Sequence, residues 1–202
     1  MTWTQVWKSV KDIDPHYGMN TEQYRTIYDT AMMLPDEPEI VELGVCHGLT
    51  ACILATVAQE KKGWYTGIDD YSLEGSAEEV FTRFTERGLE NITLLSLSTR
   101  AASSYFNSSD FPFEADLLLI DAGHDEVNVS FDCEFYVPLV KVGGYVIFDD
   151  YPSIDISDSP TDDEMAADAH WAVQFYGERA TPARDWELIT RVGGLVVKRR
   201  LR

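Results

Sequence analysis

Apolar runs of strand length alternate with segments of helical periodicity along most of this chain. The strand-length runs fall at about residues 38–43, 64–69, 92–97, 115–121 and 145–149. Between them, apolar residues recur three and four positions apart at about 48–60, 74–88, 99–106 and 126–140, which predicts helices. Because strands that alternate with helices form βαβ units, the pattern predicts an α/β fold with a mostly parallel sheet.

The amino-terminal part of the chain precedes this alternation. A helix is predicted to begin at Asn20, a capping residue that is followed by apolar positions at helical spacing, and to end near Pro35. No repeat or low-complexity segment occurs in the chain. We therefore expect an N-terminal helical cap segment over residues 1–35 and a single domain over residues 36–202.

The carboxyl-terminal part departs from the alternation in another way. The polar stretch 153–163 is predicted to be a loop, although an alternative is a lid over a site, and residues 164–177 are predicted to be helical. Two short β runs, 186–192 and 195–199, then flank a pair of glycines. That arrangement is typical of an antiparallel hairpin.

Composition and charge narrow the classes of partner. The 202 residues are 45% hydrophobic and 12% aromatic, as in an ordinary globular protein, and 16 basic against 35 acidic side chains give a net charge of −19. A field of that sign repels phosphate backbones and anionic lipids, so we expect neither nucleic acid nor a membrane as a partner. No apolar run approaches the roughly 20 residues of a membrane span.

The expected location is the cytoplasm. The amino terminus lacks the basic and then apolar layout of a signal peptide. The cysteines, Cys46, Cys52 and Cys133, are odd in number and form no CxxC pair, so neither a disulfide framework nor a zinc ribbon is indicated. Buried free thiols in a reducing compartment are the simplest interpretation.

A glycine-containing turn joins the first predicted strand to its helix and reads Glu42-Leu-Gly-Val-Cys-His-Gly48. Backbone N–H groups at such a turn, together with the helix dipole, can hold a ligand. In a dinucleotide fingerprint the second glycine lets the backbone approach a pyrophosphate, but Cys46 occupies that position here. The turn is therefore compatible with a cofactor that carries a ribose but no phosphate, such as S-adenosylmethionine. Its candidate cofactor-binding residues are Glu42, Gly44, Val45, His47 and Gly48.

Two further residues are candidates for cofactor binding. Asp69 ends the second predicted strand, where an acid can accept hydrogen bonds from ribose hydroxyls. Ser98 follows the third strand and either contacts the adenine or caps the next helix. Glu42 is a candidate for bridging to the methionine portion, with pairing to a loop amide as its alternative. His47 either lines the pocket or orders the turn.

Three carboxylates follow two apolar strands. Asp121 ends one run, and Asp149 and Asp150 end another. Neighbouring parallel strands lie roughly 4.8 Å apart, so these side chains are expected to converge at the carboxyl edge of the sheet, where open α/β folds bind ligands. Hard oxygen ligands suit Mg²⁺, Mn²⁺ or Ca²⁺. The alternative is that one or two of these acids are helix caps or solvated loop residues.

His124 lies three residues beyond Asp121. An imidazole changes its charge near neutral pH, so His124, with Asp121 beside it, is a candidate catalytic residue and general base. A histidine next to a helix start can equally pack or cap there. Both interpretations stay open.

These residues together resemble the class I S-adenosylmethionine-dependent methyltransferases. The resemblance is to the metal-dependent O-methyltransferase branch that includes macrolide-sugar methyltransferases and cephalosporin-hydroxylase-like proteins. It covers about residues 36–152. The matching positions are Glu42, Gly44, Gly48 and Thr50 of the first motif, Ile120, Asp121, His124 and Asp132 of the second, and Leu139, Gly143, Gly144, Asp149, Asp150 and Tyr151 of the third.

The resemblance implies a Rossmann-like sheet of seven strands with the last strand antiparallel and helices on both faces. It also implies Asp121, Asp149 and Asp150 as ligands of Mg²⁺, Mn²⁺ or Ca²⁺. Two positions depart from the second motif: Ala122 replaces a glycine, and Glu126 stands where a tyrosine is expected. The identity of the methyl acceptor is therefore left open, while the three aspartates that the resemblance implies as metal ligands are all present.

The function expected from this resemblance is methyl transfer from S-adenosylmethionine to a hydroxyl of a small-molecule acceptor. The alternatives are a nicotinamide-dependent oxidoreductase, a receiver-like domain that takes phosphate on Asp121, and a non-catalytic protein with the same fold. Cys46 and the terminal hairpin disfavour the oxidoreductase. A homodimer stays open, since Trp3, Trp7, Tyr17 and Met19 can cover either the pocket or a dimer interface.

Overall fold

The computed structural model describes residues 1–13, 19–107, 113–152, 160–161, 165, 168 and 170–202. Within them, seven helices and seven strands are assigned, with one short 3₁₀ helix, Val137–Leu139, after the sixth α-helix. The helices are α1 Trp3–Val10, α2 Thr21–Met32, α3 Leu49–Glu60, α4 Ala77–Glu86, α5 Thr99–Asn107, α6 Glu126–Tyr136 and α7 Trp171–Ala180. The strands are β1 Glu39–Leu43, β2 Trp64–Ile68, β3 Ile92–Leu95, β4 Ala115–Ile120, β5 Val140–Phe148, β6 Trp186–Val192 and β7 Leu195–Arg200.

The strands form one sheet in the order β3-β2-β1-β4-β5-β7-β6. The first five run parallel, with Leu43 of β1 opposite both Ile68 of β2 and Ile120 of β4, and Ile120 opposite Phe148 of β5. β7 is antiparallel to β5 and to β6. The predicted seven-stranded, mostly parallel sheet with an antiparallel last strand is confirmed.

Helices cover both faces of the central strands, which explains why these strands are apolar without alternation. All six residues of β4 are buried. On one face β4 packs beneath α2, α3 and α4 through Leu117 and Leu119, and on the other beneath α5, α6 and α7 through Leu118 and Ile120. Parallel strands buried on both sides are nearly continuous hydrophobic runs.

The amino-terminal helices belong to the first of these cores. Val6 and Val10 of α1 and Ile27 of α2 are fully buried in the same cluster as α3. Asn20 caps α2 as the sequence predicts, and Gln23 completes a capping box by accepting a hydrogen bond from the Asn20 backbone N–H. The division into a cap segment and a domain stays a prediction.

Several predicted boundaries are wrong by a few residues. β5 begins at Val140 instead of near 145, because the two glycines that suggest a turn lie inside the strand. The helix after β4 ends at Tyr136 and continues as the 3₁₀ turn that contains Pro138, a residue without an N–H to donate. The predicted helix over 164–177 overlaps α7, which begins at Trp171. Before it, Met165 is helical, and the start of the predicted helix otherwise lies largely outside the described residues.

The predicted loop or lid over 153–163 lies outside the described residues except for 160 and 161. Among the described helices, we find none with both the length and the apolar character that a membrane crossing requires.

Candidate functional site

The carboxyl ends of β1, β4 and β5 meet at one edge of the sheet, because the three strands are parallel neighbours. The ladder continues one residue past each strand end. The Asp121 N–H donates to the Leu43 carbonyl at 2.8 Å, and the Asp149 N–H donates to the Ile120 carbonyl at 3.1 Å. The backbone therefore fixes the height at which both aspartates leave the sheet.

Asp121, Asp149 and Asp150 form a cluster of three carboxylates at this edge, as the sequence predicts. One oxygen of each lies within 4.8 Å of the others. Asp149 is buried, whereas Asp121 and Asp150 are partly exposed. Asp150 adopts a left-handed backbone conformation with φ of 58°. Their role as metal ligands stays a prediction.

Two of the three carboxyls in this cluster have raised pKa values. Burial, followed by the charges of Asp149 and Asp150, holds the pKa of Asp121 well above its ordinary value. Burial and then the charge of Asp150 raise the pKa of Asp149 to about 6. Such carboxyls either take up protons or bind a cation, and the all-oxygen donor set fits a hard divalent ion.

His124 and His170 stand beside this cluster. His124 Nε2 lies 2.9 Å from Asp150 Oδ2 and 4.0 Å from Asp121 Oδ1. The close contact between the two side chains lowers the pKa of Asp150 and raises the pKa of His124. The edge of one imidazole packs against the face of the other, with the centroids of His124 and His170 4.9 Å apart. His170 carries no motif in the sequence, so only the fold shows that it belongs to the site.

Helix α2 contributes two residues that the sequence did not single out as functional. Gln23 is buried, and its Nε2 donates to Asp149 Oδ1 at 3.3 Å. Burial, followed by the charges of Asp121 and Asp149, raises the pKa of Tyr24. The capping box around Gln23 is visible in the sequence, but its contact with a residue 126 positions away is not.

The glycine turn lies directly against the acidic cluster. Gly44 has φ of +88°, and a Cβ atom on residue 44 would overlap the Asp121 carbonyl oxygen. Gly48, with φ of +80°, caps α3, and a Cβ there would lie 3.1 Å from Val80. Both glycines therefore have packing reasons to be glycine.

Asp69 orders this turn. Its Oδ2 accepts hydrogen bonds from the backbone N–H groups of Val45 at 2.8 Å and Cys46 at 2.7 Å, and its Oδ1 accepts one from Tyr71 at 2.7 Å. The Tyr71 hydroxyl is buried and has no hydrogen-bond partner within the described part of the chain. Burial, followed by the charges of Asp69 and Glu42, raises the pKa of Tyr71.

Glu42 points into the core beneath the turn. It is 1% exposed, and the Tyr65 hydroxyl donates to its Oε2. Burial raises the pKa of Glu42 to about 8, against the lowering effect of that hydrogen bond. The loop-amide pairing considered for Glu42 is not what the structure shows.

The remaining candidates lie farther out. His47 Nδ1 lies 3.4 Å from Glu79 Oε2, and its Nε2 lies 3.6 Å from Glu74 Oε2, so the ring joins the turn to the β2–α4 segment. Ser98 accepts a hydrogen bond from the Ala101 N–H at 3.3 Å, which is the capping role that the sequence offered as the alternative. Binding of a cofactor by these residues stays a prediction.

The site therefore combines a turn able to hold a small ligand with a cluster of hard oxygen donors at the carboxyl edge of an open α/β sheet. Ligands of doubly wound folds bind at this edge. A family model described as "Methyltransferase domain" matches residues 41–151, more than half of the chain. The chain belongs to this methyltransferase-domain family. A comparison with curated proteins finds no match.

Solved structures share the fold at low sequence identity. The O-methyltransferase TomG from Streptomyces achromogenes, involved in tomaymycin synthesis and solved with S-adenosylmethionine, is 16% identical over 98% of this chain and 89% of its own, with a TM-score of 0.69. The O-methyltransferase from Bacillus cereus, solved with S-adenosylhomocysteine, is 14% identical over 99% and 92%, with a TM-score of 0.67.

An rRNA methylase from Streptococcus thermophilus is also similar, at 15% identity over 92% of this chain and all of its own, with a TM-score of 0.62. At these identities the likeness establishes the Rossmann-like methyltransferase fold. The predicted class, a methyltransferase with the class I fold, is confirmed, while its metal-dependent branch stays a prediction.

Proposed function

We propose that this protein transfers a methyl group from S-adenosylmethionine to a hydroxyl oxygen of a small-molecule acceptor, with a divalent cation held by Asp121, Asp149 and Asp150. One observation carries the proposal: three carboxylates converge at the edge of the sheet where the backbone of Asp121 packs against Gly44 of the glycine turn, inside the segment that matches the methyltransferase family. Donor and acceptor sites then lie side by side at one edge of the sheet.

The turn and Asp69 support the cofactor assignment. Asp69 Oδ1 accepts one backbone N–H in the structure, and a carboxylate oxygen has two lone pairs, so a ribose hydroxyl can be accepted without breaking the turn. The buried Tyr71 hydroxyl offers a further polar contact in the same region. TomG and the Bacillus cereus enzyme, which share this fold, were solved with S-adenosylmethionine and S-adenosylhomocysteine.

The donor set supports the cation. Three carboxylate oxygens within 4.8 Å of one another suit Mg²⁺, Mn²⁺ or Ca²⁺. Burial and then the neighbouring carboxylates raise the pKa values of Asp121 and Asp149, and a cation bound between them would offset that repulsion. When bound, such an ion binds and polarises hydroxyl oxygens of an acceptor and lowers their pKa.

The reaction forms one O–C bond and breaks one S–C bond. The sulfonium group makes the methyl electrophilic, S-adenosylhomocysteine leaves, and the hydroxyl proton must pass to a base. His124 is the candidate base. Asp150, 2.9 Å away, raises the pKa of the imidazole, which makes His124 a stronger proton acceptor. Alignment of the reacting atoms can supply roughly 7–11 kcal/mol of the barrier reduction.

A nucleic-acid acceptor is disfavoured, although one structural neighbour is an rRNA methylase. The chain has a net charge of −19, and binding to phosphate backbones depends on Lys and Arg neutralising phosphates. Small acceptors that present a hydroxyl, such as phenols, sugars or polyketides, carry no such requirement.

The test combines a binding and a turnover measurement. S-adenosylhomocysteine release is followed with a panel of phenols, sugars and polyketides, before and after EDTA treatment, and S-adenosylmethionine binding is measured by calorimetry. Asp150→Asn and EDTA should each abolish turnover while sparing cofactor binding. The exposed Asp29→Asn variant on α2 serves as the matched control and should leave both unchanged. Undiminished turnover in Asp150→Asn would overturn the role of the cation.

A further inference from the structure

A second group of metal-ligating side chains lies at the glycine turn and shares no residue with the three aspartates. Cys46 and His47 belong to the turn between β1 and α3, and Glu74 belongs to the segment between β2 and α4. One donor atom of each, a sulfur, an imidazole nitrogen and a carboxylate oxygen, lies within 4.8 Å of the other two.

We infer that Cys46, His47 and Glu74 form a binding site for Zn²⁺ or a similar borderline divalent ion. Thiolate, imidazole and carboxylate are the ligand types that zinc uses, and tetrahedral zinc with bonds of about 2.0–2.3 Å places its ligand atoms roughly 3.3–3.8 Å apart. The distance between His47 Nε2 and Glu74 Oε2 is 3.6 Å, which fits that edge.

The surroundings of His47 resemble the shell around a metal-bound histidine. Ligand histidines commonly pair their second ring nitrogen with a carboxylate, which fixes the ring orientation. Here His47 Nδ1 lies 3.4 Å from Glu79 Oε2, and Glu79 in turn accepts a hydrogen bond from Arg83 at 2.6 Å. Arg83 also donates to the His47 carbonyl. The ring is therefore held with Nε2 toward Glu74.

Glu74 supplies an independent observation. Its Oε2 is buried and has no hydrogen-bond partner among the residues that the structure describes. A buried carboxylate oxygen without a donor is costly, and a cation between it and His47 would remove that cost. Gly75 allows the segment that carries Glu74 to pack against Cys46, since its φ is +76° and a Cβ there would overlap the Cys46 carbonyl oxygen.

The site would join the two segments that carry the candidate cofactor residues. Cys46 is exposed, so the fourth position of a tetrahedral ion stays open to water. Coordination deprotonates the thiol and releases that proton to solvent, and no bond of the protein is broken. The inference does not depend on the proposed methyl transfer, because none of its three ligands belongs to the aspartate cluster.

Cobalt spectroscopy tests the inference. Co²⁺ titrated into the metal-stripped protein should produce a thiolate-to-cobalt charge-transfer band in the near ultraviolet that saturates at one ion per chain and disappears on addition of Zn²⁺. Cys46→Ser should abolish the band, and His47→Gln and Glu74→Gln should each weaken binding at least tenfold. Glu79→Gln should weaken it about 10–100-fold, the usual effect of removing an outer partner of a ligand.

Two controls separate this site from the other one. Asp149→Asn should leave the band and its affinity unchanged, and the exposed Glu78→Gln variant is the matched control for Glu79→Gln. Circular dichroism checks that every variant is folded, and Zn²⁺ should raise the midpoint of thermal unfolding of the wild type but not of Cys46→Ser. Absence of the band in the wild type, or equal affinity in the wild type, His47→Gln and Glu74→Gln, would overturn the site.

Discussion

The backbone of Gly44 lies against the carbonyl oxygen of Asp121, so close that no side chain can be placed between them. This contact joins the glycine turn after β1 to the first aspartate of the acidic cluster after β4. Gly44 is therefore required by the packing of two neighbouring strand ends, in addition to any contact it makes with a cofactor. A substitution at Gly44 or Asp121 should therefore alter both the glycine turn and the acidic cluster.

Gly44→Ala should destabilise the protein strongly. The substitution forces an alanine into the left-handed conformation that Gly44 adopts, with φ of +88°, and its Cβ would overlap the Asp121 carbonyl oxygen. Gly88→Ala is the matched control, since Gly88 has φ of +62° and nothing within 4 Å of a Cβ. The control should cost about 1–2 kcal/mol of unfolding free energy from conformation alone. Denaturant unfolding should show a clearly larger loss for Gly44→Ala; equal losses would contradict the close approach.

Tyr65→Phe should destabilise the protein by about 1–3 kcal/mol, the cost of leaving a buried polar group without its partner. Its hydroxyl donates to Glu42, which is buried beneath the turn. Since that hydrogen bond lowers the pKa of Glu42, its loss should raise this pKa further. Urea unfolding measures the first effect. The control is Tyr176→Phe, whose hydroxyl donates to Glu126 at the surface, and it should change stability by less than about 0.5 kcal/mol.

Gln23→Glu should make the protein more dependent on a divalent ion. A glutamate keeps the acceptor that completes the capping box but replaces the amide that donates to Asp149 with a fourth negative charge. The unfolding midpoint in EDTA should fall, and the increase on adding Mg²⁺ should exceed that of the wild type. The exposed Glu22→Gln variant should respond to Mg²⁺ like the wild type. An unchanged response of Gln23→Glu would show that α2 does not face the cation.

Divalent-ion binding should weaken as the pH falls through about 6. Protons compete for the carboxylates, and the pKa of Asp149 is raised to about 6 and that of Asp121 well above its ordinary range. Calorimetric titration with Mg²⁺ from pH 8 to pH 5 should show this loss, which a pH-independent affinity would contradict.

The same shifts set the sign of the pH dependence of stability in EDTA. A carboxyl whose folded pKa exceeds its ordinary value of 3.8 binds more protons folded than unfolded, so stability falls as the pH rises from about 4 to 6. Asp149→Asn removes this contribution, and its pH profile should be flatter over that window. A profile parallel to that of the wild type would argue against the raised pKa.

The parallel core of the fold follows from the sequence because its strands are continuous apolar runs bounded by charged or glycine residues. β4 agrees with the sequence interpretation to within one residue, since Ala115–Ile120 is apolar at almost every position. β5 agrees less well. Gly143 and Gly144 are typical of a turn, and only the pairing of Val140 with Ala115 of β4 extends the strand back to Val140.

The acidic cluster was predictable for a similar reason. Strand adjacency places Asp121 and Asp149 at one edge, so knowing the order of the strands is enough. The contributions of Gln23 and His170 depend instead on where helices pack over that edge, which periodicity does not encode. The sequence also could not predict which way the Glu42 side chain points. In a strand that is buried on both faces, both sets of alternating residues are apolar, so the pattern does not indicate which core a side chain enters.

The central claim is that three aspartates hold a divalent ion next to a bound methyl donor. A crystal of the protein grown with S-adenosylhomocysteine and Mn²⁺, with data collected at the manganese absorption edge, tests it directly. The account predicts an anomalous peak within coordinating distance of Asp121, Asp149 and Asp150, with the ligand in contact with the glycine turn. A peak elsewhere, or none at those carboxylates while the ligand is bound, would contradict the account.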